Sequence, residues 1–190
     1  MNEDFFWSPN DEAGPFGSDS GADAAHGFSQ WRKTNATANP INYLSDLLVR
    51  WNLPLFDWNE LDPEKVAEFI KIKANTDNIF QQVEQLKQSL KNSPGFDDNI
   101  SDESIQDLIL KSAEGMGGIY LLQMDNAIIG TGFAQFAMEG KIDSDLHYLT
   151  HTALRRQLLP ILIERYSEEH KANRKEVLNK MIKVIELANQ

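Results

Sequence analysis

A chain of 190 residues with a net charge of −11 and an isoelectric point near 4.8 lacks the broad basic face that counterion release from nucleic acid requires, so no direct nucleic-acid contact is expected. It contains no cysteine, which excludes disulfides, thiolate metal sites and a cysteine nucleophile and fits a cytoplasmic or intravirion setting. The charge is uneven, at −4 over residues 1–40, −7 over 41–110, −2 over 111–140 and +2 over 141–190.

Residues 1–40 are acidic and rich in Gly, Ser and Asn. Such a segment buries too little apolar surface to offset about 1–2 kcal/mol of backbone entropy per residue, so it reads as an extended or disordered arm. Large aromatics punctuate it: Phe5, Phe6, Trp7, Phe16, Phe28 and Trp31. Aromatics dominate interface energetics, and these six read as partner-binding anchors that thread onto neighbouring subunits. The alternative is that they fold back on this chain's own domain. The Met-Asn-Glu-Asp start has neither the basic nor the apolar stretch of a secretory signal, so export by that route is not expected.

Residues 41–190 are expected to form one helical domain. Tyr43, Leu44, Leu47, Leu48 and Trp51 recur at helical spacing ahead of Pro54 and predict a short amphipathic helix. Leu53 to Trp58 then reads as an apolar extended corner. Asp62 as N-cap, Pro63 at the first helical position and a stop at Ser93-Pro94-Gly95 predict one long helix over about 63–91. Phe69, Ile72, Ile79, Val83, Leu86 and Leu90 follow spacings of three and four along it, a coiled-coil-like seam expected to mediate oligomerisation. This cysteine-free helix resembles the helical repeats of polymer-granule coat proteins, and a granule or membrane-surface coat using the aromatic connector and the apolar helix faces is one alternative function.

Ser101 with Asp102 and Glu103 starts a further helix ending near Gly115. Residues 115–140 hold six of the eleven glycines and read either as closely packed helix or as a buried hairpin turning at Asp125-Asn126. Those polar residues at mid-span argue against a transmembrane segment. The glycines lack the Lys-Ser/Thr ending of a phosphate loop, so no nucleotide cofactor is implied. A leucine-rich helix runs from Asp145 towards Ser167, kinked or restarted at Pro160, and a last helix from about Asn173 to Ala188.

Asp143, His147 and His151 stand at i, i+4 and i+8, the weak spacing of three metal ligands on one helix face. Polar surface residues are the plainer reading, and no metal or cofactor is assigned. No serine lies in a nucleophile elbow, and no catalytic residue is assigned. The expected fold class is therefore mainly α: an irregular helical bundle with one long helix, an N-terminal arm and a Gly-rich apolar segment. The expected function is a non-enzymatic structural or adaptor subunit of a larger assembly, a virion component in its sharpest form, with protein partners that are its own copies or other subunits. A small helical enzyme or enzyme subunit with a pocket along 115–140 is the other alternative.

Overall fold

The computed structural model describes Phe6, residues 13–91 and residues 100–188. Among these the chain is mainly helical, with nine helices and no strand: α1 (Asp19–Thr34), α2 (Pro40–Arg50), α3 (Pro63–Phe69), α4 (Ile79–Leu90), α5 (Asp102–Ala113), α6 (Met116–Glu139), α7 (Ser144–Gln157), α8 (Pro160–Ile163) and α9 (Glu168–Leu187).

The organising element is α6, which settles the 115–140 segment as helix. It is apolar all round, the mark of a helix enclosed by others rather than lying on a surface. Leu121, Met124, Ala127, Ile128, Ile129 and Phe133 are all buried. Gly115 before it and Gly140 after it adopt left-handed backbone (φ 70° each) that punctuates the helix at both ends. The Asp125-Asn126 pair that resembles a hairpin turn is instead a polar seam to α7. Asp125 pairs with Arg156, and Asn126 Oδ1 accepts a hydrogen bond from Gln157 Nε2 at 3.1 Å.

Against one side of α6 lies α1, which overturns the extended arm over residues 19–34. Ser18 caps it, its Oγ accepting from Gly21 N at 3.1 Å. Gly21, Ala24, Ala25, Phe28 and Arg32 form its buried stripe. The backbones of α1 and α6 approach so closely that a Cβ on Gly130 would lie 2.3 Å from the Gly21 carbonyl oxygen. Only glycine permits that contact. Low overall hydrophobicity hid this helix, because small residues at the crossing replace bulk with proximity. Tyr43 of α2 locks the same layer by donating its hydroxyl proton to Ala24 O at 2.8 Å, and burial pushes its own pKa up to about 12.

The expected long helix over 63–91 is two helices, α3 and α4, separated by residues 70–78. The sequence between them is Ile70-Lys-Ile-Lys-Ala-Asn-Thr-Asp-Asn78, ending in four residues whose side chains compete for backbone hydrogen bonds. Asn75 Oδ1 accepts from Asp77 N at 2.7 Å, closing such a turn. Tertiary bonds hold the linker in place: Gly117 N donates to Ile72 O at 2.9 Å, and Ala74 N donates to Ala113 O at 3.0 Å. Helices α4 and α5 then pair, with Val83, Ile105 and Ala113 buried and Lys87 bridging to Asp102. Lys87 near the end of α4 meets Asp102 at the start of α5, while Ala74 before α4 meets Ala113 at the end of α5. The pair is therefore an antiparallel helical hairpin rooted at residues 72–74 and 113–117.

Pro160 restarts the helix as expected, ending α7 and opening α8. Among the described residues no helix is long and apolar enough to cross a membrane.

Candidate functional site

The aromatic anchors point inward. Phe6 stacks on Phe133 with ring centroids 6.1 Å apart, and Phe28, Trp31 and Tyr43 form a mutual cluster at 5.5–5.9 Å. Phe28 is fully buried and Phe16 and Trp31 pack, partly buried, on the same core, so these four contribute to the chain's own fold. Phe28 and Trp31, three residues apart, share one side of α1, which Ser18 caps; Phe6 and Phe16 precede that helix. Phe5 and Trp7 lie outside the described residues.

The seam residues divide. Phe69 belongs to a small cluster with Val66 and Leu121, its ring 4.5 Å from that of Phe56. Val83 is buried in the α4–α5 pair; Ile79, Leu86 and Leu90 are half-buried, and Ile72 is exposed. One continuous oligomerisation stripe therefore does not exist, because the break at 70–78 puts Phe69 and Val83 into different packing layers.

The three metal candidates are each engaged elsewhere. Asp143 is the residue before α7 and faces Arg32 Nη2 at 3.5 Å; His147 Nε2 bonds Ile185 O at 2.8 Å; His151 Nε2 lies 3.6 Å from Glu186 Oε1. Among the described residues no three His, Asp or Glu are placed to hold a metal ion.

Two buried arginines organise the polar interior. Arg32, at the end of α1, donates from Nε to Glu139 Oε1 at 2.6 Å and from Nη1 to Ala38 O. Its hydrogen bond holds the Glu139 carboxyl below the usual carboxylate range. Gln135 completes the knot, donating to Glu139 Oε2 at 3.0 Å and accepting from Asp143 N at 3.0 Å. The second arginine, Arg156 on α7, is wholly enclosed, as is its partner Asp125 on α6. It donates from Nε at 3.1 Å and from Nη2 at 2.5 Å to Asp125 Oδ1. Its Nη1 donates to Trp58 O at 2.9 Å and Glu60 O at 2.8 Å, and its guanidinium lies over the Phe56 ring at 5.3 Å. One side chain thus pins the apolar connector 53–60 to the bundle. Burial pushes the Asp125 carboxyl up, to about 6, against the downward pull of Arg156. Sequence reasoning passed over this pair; the signal was a lone Asp inside an apolar helix.

The surface has its own asymmetry. Seven of the twelve exposed large hydrophobics found among the described residues fall between 72 and 122: Ile72, Phe80, Ile100, Leu108, Leu110, Ile119 and Leu122. Phe80 on α4 is 78% exposed and Leu108 on α5 is 59% exposed. With the pairing established above, both lie at about the same height along the hairpin.

Compared with protein-family models, with curated proteins and with solved structures, the chain matches none.

Proposed function

We propose that this chain is a non-enzymatic adaptor or structural subunit whose contact element is the α4–α5 hairpin together with its root at Ile72 and Ile119. The observation that carries this reading is the exposure of Phe80 and Leu108 on a two-helix element joined to the rest of the chain at one end. Aromatic and leucine side chains left in water at about 25 cal/mol per Å² gain most from being covered by a partner. The two hairpin helices carry Glu84, Asp102, Glu103 and Asp107 against Lys87 and Lys111, a net charge of −2. Exposed apolar residues on a weakly acidic element suit an amphipathic partner surface with a basic border. Another subunit of a larger assembly fits this better than a second copy, whose hairpin would bring the same negative charge. The virion reading rested on an ordered extended arm and loses that support, because residues 19–34 pack on their own chain.

The double substitution Phe80→Asp with Leu108→Asp tests this. It is expected to leave the free energy of unfolding, from urea titration, within about 0.5 kcal/mol of the parent, as substitutions at exposed positions usually do. It should also abolish co-purification of specific partners from the native source, quantified against the parent by mass spectrometry. Retention of the same partner set by the double variant contradicts the hairpin as contact element.

A further inference from the structure

Between the first half of α6, α8 and the start of α9 lies a cleft whose charge has the opposite sign to that of the protein. The chain carries −11 overall, yet the cleft is edged by guanidinium groups. Its inner cavity, about 200 Å³, is walled by Leu121, Leu122 and Leu162 and edged by Arg165. An outer cavity of about 280 Å³ shares Leu122 and Tyr166 with it and is bounded by Arg174. Side by side they reach the roughly 300–1,000 Å³ typical of small-ligand sites.

Three features point to an anionic ligand with an apolar body. Asp125 is the single acid among the residues lining the two cavities, and its carboxylate is already held by Arg156. The Arg165 side chain makes no ion pair or hydrogen bond among the described residues; Gly118 leaves room for it, since a Cβ there would lie 2.6 Å from its guanidinium carbon. Arg174 donates to Ala13 O at 3.2 Å and to Gln157 Oε1 and makes no ion pair among the described residues, its charge acting on Asp125 only from a distance. Leucines on the inner wall supply the complementary apolar surface.

We propose that this cleft binds a small amphipathic carboxylate, its carboxylate on Arg165 and its hydrocarbon body against Leu121, Leu122 and Leu162, with Arg174 adding positive charge at the edge of the adjoining cavity. A guanidinium fork matches a planar carboxylate in two parallel hydrogen bonds. A singly charged head also tolerates the neighbouring Asp125 better than a phosphate dianion would, and phosphate makes no use of the leucine wall.

The test is isothermal titration calorimetry on the full chain with three probes: octanoate, octanamide and inorganic phosphate. Octanoate is expected to bind saturably with a dissociation constant tighter than about 1 mM, octanamide at least about tenfold more weakly, and phosphate more weakly still. Arg165 is exposed, so Arg165→Gln leaves the fold intact; it is expected to weaken octanoate about tenfold or more, with Arg165→Lys recovering part of the loss. The proposal is overturned if octanoate does not saturate, if octanamide binds equally well, if phosphate binds more tightly than octanoate, or if Arg165→Gln leaves octanoate binding unchanged.

Discussion

Arg156→Met is expected to lower the free energy of unfolding by about 3–5 kcal/mol, the cost of leaving a buried charge without its partner. The reasoning runs through Asp125, which has no exposure to water and would lose the guanidinium that both neutralises and hydrogen-bonds it. Trp58 O and Glu60 O would lose a donor at the same time, so the connector 53–60 loosens along with the α6–α7 seam. Against a total stability of about 5–15 kcal/mol such a loss is large, and a fall in melting temperature of roughly 10 °C accompanies it. The pair Asp125→Leu with Arg156→Met should cost less than the single change, because no orphan charge remains. Urea titrations of the three proteins decide the matter. A single variant within 1 kcal/mol of the parent, to order of magnitude, means the pair is not as enclosed as described.

Gly130→Ala opposes two effects of known size. Alanine in a helix interior gains about 1 kcal/mol over glycine, and were α6 free at this position the variant would be more stable. Here the new methyl would meet the Gly21 carbonyl oxygen at 2.3 Å and the Gly21 Cα at 3.0 Å. Both are backbone atoms of α1, so no rotamer change relieves the clash and the helix as a whole must move. Overpacking of that kind costs about 3 kcal/mol, leaving a net loss near 2 kcal/mol. Gly130→Val, with two further methyls and no propensity gain, should lose more. The expected signature is a lower denaturation midpoint together with exposure of Trp31, read as a red-shifted fluorescence maximum. A stabilised Gly130→Ala variant contradicts the close crossing of α1 and α6.

These contacts mark where sequence reasoning succeeds and where it stops. Caps and prolines were legible because their chemistry is local. Asp62-Pro63, Ser101 and Pro160 each sit at a helix start in the structure. The helix α1 was hidden because Gly21, Ala24 and Ala25 make a packing stripe without bulk; composition scored as an arm what geometry makes a close-fitting helix. The break between α3 and α4 was written in Asn75-Thr76-Asp77-Asn78, but the three-four spacing of Phe69, Ile72, Ile79 and Val83 ran across it and simulated continuity. Periodicity counts positions and does not see that Gly117 lets the Phe69 carbonyl oxygen approach to 1.9 Å from where its Cβ would stand, closer than any side chain would tolerate. The guanidinium-edged cleft was illegible for a different reason. Arg165 and Arg174 look like solvated charges on a helical segment, and only the tertiary packing, with α9 held on α7 and α8, sets them beside Leu122.

The assignment of the hairpin as contact element depends on α1 being an internal helix instead of a tether. Hydrogen–deuterium exchange on the free full-length protein, read by mass spectrometry at peptide resolution, tests this directly. Amides of residues 24–34 are expected to be protected to the same degree as those of 121–136 in α6, because both exchange only when the shared core opens, while residues 79–113 exchange faster through local opening of the hairpin. Exchange of residues 24–34 at the rate of an unstructured peptide would mean that α1 is not docked in the free chain, and the aromatic residues Phe28 and Trp31 would again be free to engage a neighbour.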